Sequence, residues 1–173
     1  GGEGLRSDSL LQAGGLPSLT GGVGGGSSSS SSNFTELTLV DLNTADSTLL
    51  KRIPGIASYR ARQILRYRER LGGFVSVDQL TEIENFPAEE LLVWFTVDAA
   101  ARHPDGTPVI RRLNINKATV SQLGRHPYIG YARARAIDDY RRLYGTIHSL
   151  ADLSLLPDFT DEALRRMEPY VEY

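Results

Sequence analysis

The sequence predicts an all-α protein: two tandem small helical domains, each of four to five short helices, behind a Gly/Ser-rich tether. Three observations predict it. The chain repeats itself without a gap at an offset of 73 residues: Asn43 with Asn116, Ala45 with Ala118, Leu50 with Leu123, Pro54 with Pro127, Ile64 with Ile137 and Gly72 with Gly145. Matches continue through Leu80 and Leu153, Phe86 and Phe159, and Leu91 and Leu164, which means two copies of one folding unit. Within each copy, apolar residues recur at helical spacing. Proline and glycine then punctuate both copies at the same places.

The elements follow in order. Residues 1–33 lack apolar periodicity and end in Gly24-Gly25-Gly26 and a serine run to Ser32, which reads as a disordered tether. Residues 34–98 form the first repeat and 109–173 the second. Residues 99–108, with Pro104, Asp105, Gly106 and Pro108, read as a linker. Asn43 and Asn116 read as N-caps of a first helix that ends near Arg52 or Arg125. Pro54 and Pro127 stop it, because proline disfavours helix in the residue before it. A longer helix follows from Ser58 to Leu71, with Ala61, Ile64, Leu65 and Arg68 on one face. Its counterpart runs from Tyr131 to Tyr144, with Ala134, Ile137 and Arg141. Gly72 and Gly145 terminate these helices. Ser76 with Gln79 is a capping box, and Ser149 with Asp152 a weaker version, opening a third helix. Turns at Glu84–Pro87 and Pro157–Thr160 lead to a fourth helix, carrying Leu91, Leu92 and Trp94 or Leu164 and Met167. Eight short helices result. Leu37–Leu42 and Val109–Ile115 alternate enough for short strand-like pairings.

Composition limits the function classes. The 173 residues are 40% hydrophobic and 23% charged, ordinary globular material. Without cysteine there are no disulfides or thiolate metal sites. His103, His126 and His148 share no metal-ligand spacing, and no catalytic triad or carboxylate dyad stands out, since Asp138-Asp139 and Glu89-Glu90 are adjacent and point apart. Neither an enzyme nor a cofactor is expected. The net charge of −2 gives no global attraction for nucleic acid, but the charge is segregated. Residues 41–71 hold seven basic and three acidic side chains, and 72–98 hold six acidic and no basic ones. Residues 111–144 hold eight basic and two acidic, and 145–173 two basic and six acidic. The basic stretches span the first turn of each repeat and the helix after it; they either face nucleic acid or neutralise the acidic halves.

Two turns carry the chemistry, Ile53-Pro54-Gly55-Ile56-Ala57 and His126-Pro127-Tyr128-Ile129-Gly130. Each joins a short helix to a longer one beginning with an Arg-Ala-Arg run. They resemble the helix-hairpin-helix motif, whose core is Pro-Gly-Ile-Gly followed by basic residues. With Leu42-Asn43-Thr44-Ala45 and Gly72-Gly73-Phe74 through Leu80, and with Ile115-Asn116-Lys117-Ala118 onward, each repeat looks like a ComEA-type double helix-hairpin-helix domain, a SAM-like unit. The resemblance covers nearly everything from Val40 to Tyr173.

That resemblance implies sequence-independent binding of double-stranded DNA, as in DNA receptors of natural transformation. It also implies an upstream membrane anchor and a placement facing the outer side of a bacterial cell envelope, the alternative being the cytoplasm. The chain begins at Gly1 rather than Met, which fits a fragment or processed product. A related domain in the K-type pseudopilin of type II secretion serves protein assembly, so the alternative is a helical interaction module that has lost DNA affinity. The physics of the DNA reading is direct. A glycine turn before a helix presents backbone N–H groups and a partial positive charge to a phosphate, and nearby arginines hold adjacent phosphates.

The sequence departs from the family pattern. Ala57 replaces the second glycine of the first turn and Tyr128 the first glycine of the second turn. The later turns have no glycine and carry carboxylates, so Phe86 and Phe159 are expected to plug the core instead. The phosphate-binding amides are expected at Gly55, Ile56, Ala57, Ile129 and Gly130, and the phosphate-binding side chains at Arg60, Arg62, Arg66, Arg133 and Arg135. Substituting Arg60 and Arg133 is expected to weaken binding and flatten its salt dependence; if the loss of glycine limits binding, a glycine at positions 57 and 128 should tighten it. Lys51, Arg52 and Arg125 add weaker contacts. Arg68 and Arg141 fall on the buried face and read as structural, His126 as a surface packing residue, and Trp94 as core.

Overall fold

A computed structural model describes residues 32–173; the tether expectation for residues 1–31 lies outside them. Phe34–Tyr173 forms one compact unit. The first repeat contains β1 (Val40–Asp41), α1 (Ser47–Leu50), α2 (Ser58–Leu71), a 3-10 segment Val77–Glu82, and α3 (Ala88–Leu91) running into a 3-10 turn and β2 (Phe95–Thr96). The second contains β3 (Leu113–Asn114), α4 (Val120–Gly124), α5 (Gly130–Tyr144), a 3-10 segment Leu150–Leu153, and α6 (Asp161–Met167) running into a 3-10 turn and β4 (Val171–Glu172). With each 3-10 turn counted as part of the helix it extends, the described residues form the expected helix–turn–helix series twice.

The strand-like stretches close each repeat on itself. β1 pairs in parallel with β2, Val40 opposite Phe95, and β3 with β4, Leu113 opposite Val171. The first partners keep the offset of 73 residues and the last partners stand 76 apart. The longer α6 absorbs the difference.

Both asparagines have a role other than the expected one. The true N-caps are Asp46, whose carboxylate accepts from the Leu49 amide, and Thr119, whose hydroxyl accepts from Gln122. Asn43 is buried instead: its amide donates to Phe74 O at 2.9 Å and its carbonyl accepts from Phe74 N at 2.7 Å. Asn116 makes the same pair of bonds to Ile147. Each asparagine thus ties the start of its repeat to the chain beyond the long helix. A short amide that can satisfy one residue's donor and acceptor together suits such a buried bridge.

Arg68 and Arg141 are structural, as their spacing indicates. Arg68 donates to Leu42 O and Ala45 O, and Arg141 to Ile115 O and Ala118 O. Phe159 is buried and Phe86 packs against the core. Trp94 is half-buried and stacks on Phe34. Ser76 and Gln79 form the expected capping box, whereas Ser149 makes no side-chain cap.

The linker is folded. Arg102 bridges to Pro108, Val109 N donates to Ala101 O, and Val109 and Ile110 are buried. This segment runs against Gly72 and Gly73, which have φ of +89° and +118°. A Cβ at Gly73 would stand 2.4 Å from Val109 O, so glycine is needed there for both backbone conformation and space. Apolar residues of both repeats belong to one continuous core. No helix among the described residues is long and apolar enough to cross a membrane.

Candidate nucleic-acid interface

The two family-like turns have diverged. The first is open. Gly55 has φ +96° and is exposed, as are Pro54, Ala57 and Ser58. Ile56 is buried and its amide donates to Ile53 O at 3.0 Å, so it is not available to a phosphate as expected. The amides of Gly55 and Ala57 make no hydrogen bond among the described residues. Ala57 is the N-cap of α2, with extended backbone and no capping side chain. The first-turn amides of α2 therefore point outward from an uncapped helix end.

Ala57→Asp separates stability from binding. A capping carboxylate satisfies those amides and should raise stability by about 1 kcal/mol, while repelling phosphate and lowering duplex affinity. Urea denaturation and duplex binding measured on one preparation check both signs. Unchanged affinity would remove this helix end from the interface.

The second turn is covered. Tyr128 and Ile129 are buried, and the amides of Ile129 and Gly130 both donate to His126 O at 3.0 Å. The expectation of phosphate contacts at Ile129 and Gly130 is therefore corrected: both donors are used within the turn. Gly130 has φ +73°, so its glycine serves the path of the chain. Tyr128 turns toward the first repeat, where its hydroxyl meets Glu82 at 2.7 Å and accepts from Gln79 Nε2 at 2.8 Å.

Around that contact lies the junction of the repeats. Glu82 also accepts from Tyr67 at 2.6 Å and from Arg166 at 2.8 Å, with the Arg166 guanidinium over the Tyr128 ring. Tyr170 donates to Gly73 O, and Gln79 bonds both tyrosines while its carbonyl accepts from Val75 and Ser76. Burial, and then the Glu82 carboxylate, push the Tyr128 phenol up to about 12 and Tyr67 well above its usual range. These hydroxyls stay protonated and keep donating at any ordinary pH.

His126 is a junction residue rather than a surface one, only 3% exposed. Its Nε2 lies 2.8 Å from Leu71 O, and its Nδ1 accepts from Tyr128 N. That pattern requires a neutral ring with the proton on Nε2. Burial pushes its pKa down to about 4, with the nearby Arg70 adding to the effect and the bond to Leu71 opposing it. An unfolded imidazole titrates near ~6.5, so below that pH the unfolded chain takes up a proton that the folded chain refuses. Stability should fall as pH drops from 6.5 toward 4, by about 3 kcal/mol in all. His126→Gln should remove this component from urea midpoints taken between pH 7 and 5. An equal slope in the variant would refute it.

The arginines divide in the same way. Arg60 donates back to Gly55 O at 2.8 Å, and Arg133 to Tyr128 O and Asp158 O. Arg60 thus staples its own turn, and Arg133 ties its turn to the one before α6; each guanidinium keeps N–H donors that these bonds do not use. Arg62, Arg66 and Arg135 are exposed and have no ion-pair partner among the described residues. On α5, however, Asp138 pairs with Arg141 and Arg142, and Asp139 with Arg142. Asp139 occupies the place of Arg66. Lys51 and Arg125 are exposed, and Arg52 lies over Phe34.

Asn85 was invisible as a motif residue. It has φ +58°, the one non-glycine with positive φ among the described residues. In Ile83-Glu84-Asn85-Phe86-Pro87 it stands where Gly55 does in the first turn, so this turn keeps a helix-hairpin-helix shape without glycine. Asparagine's tolerance of left-handed backbone was the available signal.

The helix-hairpin-helix family model matches residues 36–92 and 109–172, once for each repeat. The chain belongs to the helix-hairpin-helix family. It is 30% identical over 149 residues to endonuclease/exonuclease/phosphatase family domain-containing protein 1 of Mus musculus, covering 70% of this chain and 26% of that protein. It is 31% identical over 133 residues to protein tex of Bordetella pertussis, covering 71% of this chain and 14% of that protein. The chain thus spans well under a third of either relative. No solved structure matches it significantly.

Proposed function

We propose that this tandem helix-hairpin-helix unit is a non-catalytic, sequence-independent binder of double-stranded DNA that works chiefly through its first repeat. The observation that carries the reading is the contrast between the two turns. At Gly55–Ala57 the unpaired amides, the uncapped start of α2 and the partner-free Arg62 and Arg66 all face solvent. At Tyr128–Gly130 the amides are used within the turn by His126, and the Tyr128 side chain is held in the junction. Backbone amides and arginines recognise phosphate and not base edges, so such binding is indifferent to sequence.

The second repeat favours the other role, a helical interaction module, because its hairpin is occupied by a protein surface, that of the first repeat. On this reading the two roles fall to different repeats of one unit. Fluorescence anisotropy of a labelled generic duplex tests the reading. With about four phosphate contacts, affinity should drop about 100-fold between 50 and 200 mM salt, equally for unrelated sequences. Absence of binding at low salt would overturn the DNA role and leave the interaction role.

A further inference from the structure

The outer face of α2 holds more than duplex binding at the first hairpin uses. Tyr59, Arg66 and Arg70 stand at i, i+7 and i+11, so at 3.6 residues per turn they fall in one line, with Arg62 beside it. Tyr59 is 62% exposed. Among the described residues its hydroxyl makes no hydrogen bond and its ring has no aromatic neighbour. Arg62, Arg66 and Arg70 are exposed. Arg70 donates to Arg125 O at 3.4 Å, which brings the exposed Arg125 of the second repeat to the far end of the row. The row is about 16 Å long from Tyr59 to Arg70, at ~1.5 Å per residue.

The scaffold does not require this arrangement. The same positions on α5 are Ala132, Arg135, Asp139 and Leu143, and that helix still buries Ala134 and Ile137, the counterparts of Ala61 and Ile64. An aromatic ring beside a line of cations is the pattern that holds an unpaired strand: the ring stacks on a base of any identity while arginines follow the backbone. In a duplex the base faces are already stacked on one another, which leaves a ring at this position nothing to stack on.

We propose that this row holds a single-stranded stretch of nucleic acid, continuous with the duplex at the first hairpin, with one unpaired base stacked on Tyr59 and a following phosphate on Arg70, while Arg62 and Arg66 stay with the duplex. The inference rests on the duplex reading of the first hairpin. The test compares a blunt labelled duplex with the same duplex carrying a single-stranded thymidine extension. The native protein should bind the extended form at least about 5-fold more tightly. Tyr59→Ala should abolish that gain and leave blunt-duplex affinity alone, and Tyr59→Phe should keep it. Equal affinity for the two forms, or a gain that survives Tyr59→Ala, overturns the inference. Binding of the extended form alone would sustain the row while overturning the duplex reading; binding of neither overturns both.

Discussion

Reversing two charges together, Arg62→Glu with Arg66→Glu, should weaken duplex binding about 100-fold at 0.1 M salt. Each lost phosphate contact removes roughly one factor of ten from the counterion-release contribution. The log–log salt slope should fall by about 2. Stability should hardly change, because both side chains are exposed and have no partner among the described residues. Arg135→Glu is the informative companion. It occupies the place of Arg62 in the second repeat, beside a turn whose amides are consumed and close to the Asp138–Asp139 pair. The loss there should be several-fold at most. Equal losses from the two repeats would replace the one-hairpin reading with a symmetric one.

Tyr128→Gly restores the family's glycine and should nonetheless harm the protein. The ring is 7% exposed, its hydroxyl is bonded to Glu82 and Gln79, and Arg166 lies across its face. Removing a buried aromatic side chain costs about 3–5 kcal/mol. Here the remaining Glu82 carboxylate and Gln79 amide lose a partner as well. Duplex affinity should not rise, because the Ile129 and Gly130 amides remain tied to His126 O. Urea denaturation and duplex anisotropy on the variant decide the point. Tighter binding at unchanged stability would show that glycine, and not the junction, limits this hairpin.

Much of the fold could be read directly. The limits of α2 matched because Pro54 and Gly72 are local signals that no neighbour overrides. The buried role of Arg68 and Arg141 was legible from helical periodicity. The asparagines misled for a definite reason. Asn43 is chemically suited both to cap a helix and to bridge a buried peptide, and only Phe74, 31 residues away, decides between them.

The candidate site shows the same division more sharply. The repeat, the helical class, the two family-like turns and the separation of charge all follow from residue type and spacing. These are properties of short segments, set by backbone sterics and helix periodicity. Which turn stays open does not follow from them. Tyr128 reads locally as a missing glycine and His126 as a substituted isoleucine. Their meaning appears only when Leu71, Gln79 and Glu82 of the first repeat come to face them. A buried polar group must find its partners wherever the chain places them, and here the partners lie 46 to 55 residues away. Local chemistry therefore determined that there are two glycine-bearing hairpins, and tertiary packing decided that one faces solvent while the other holds the repeats together.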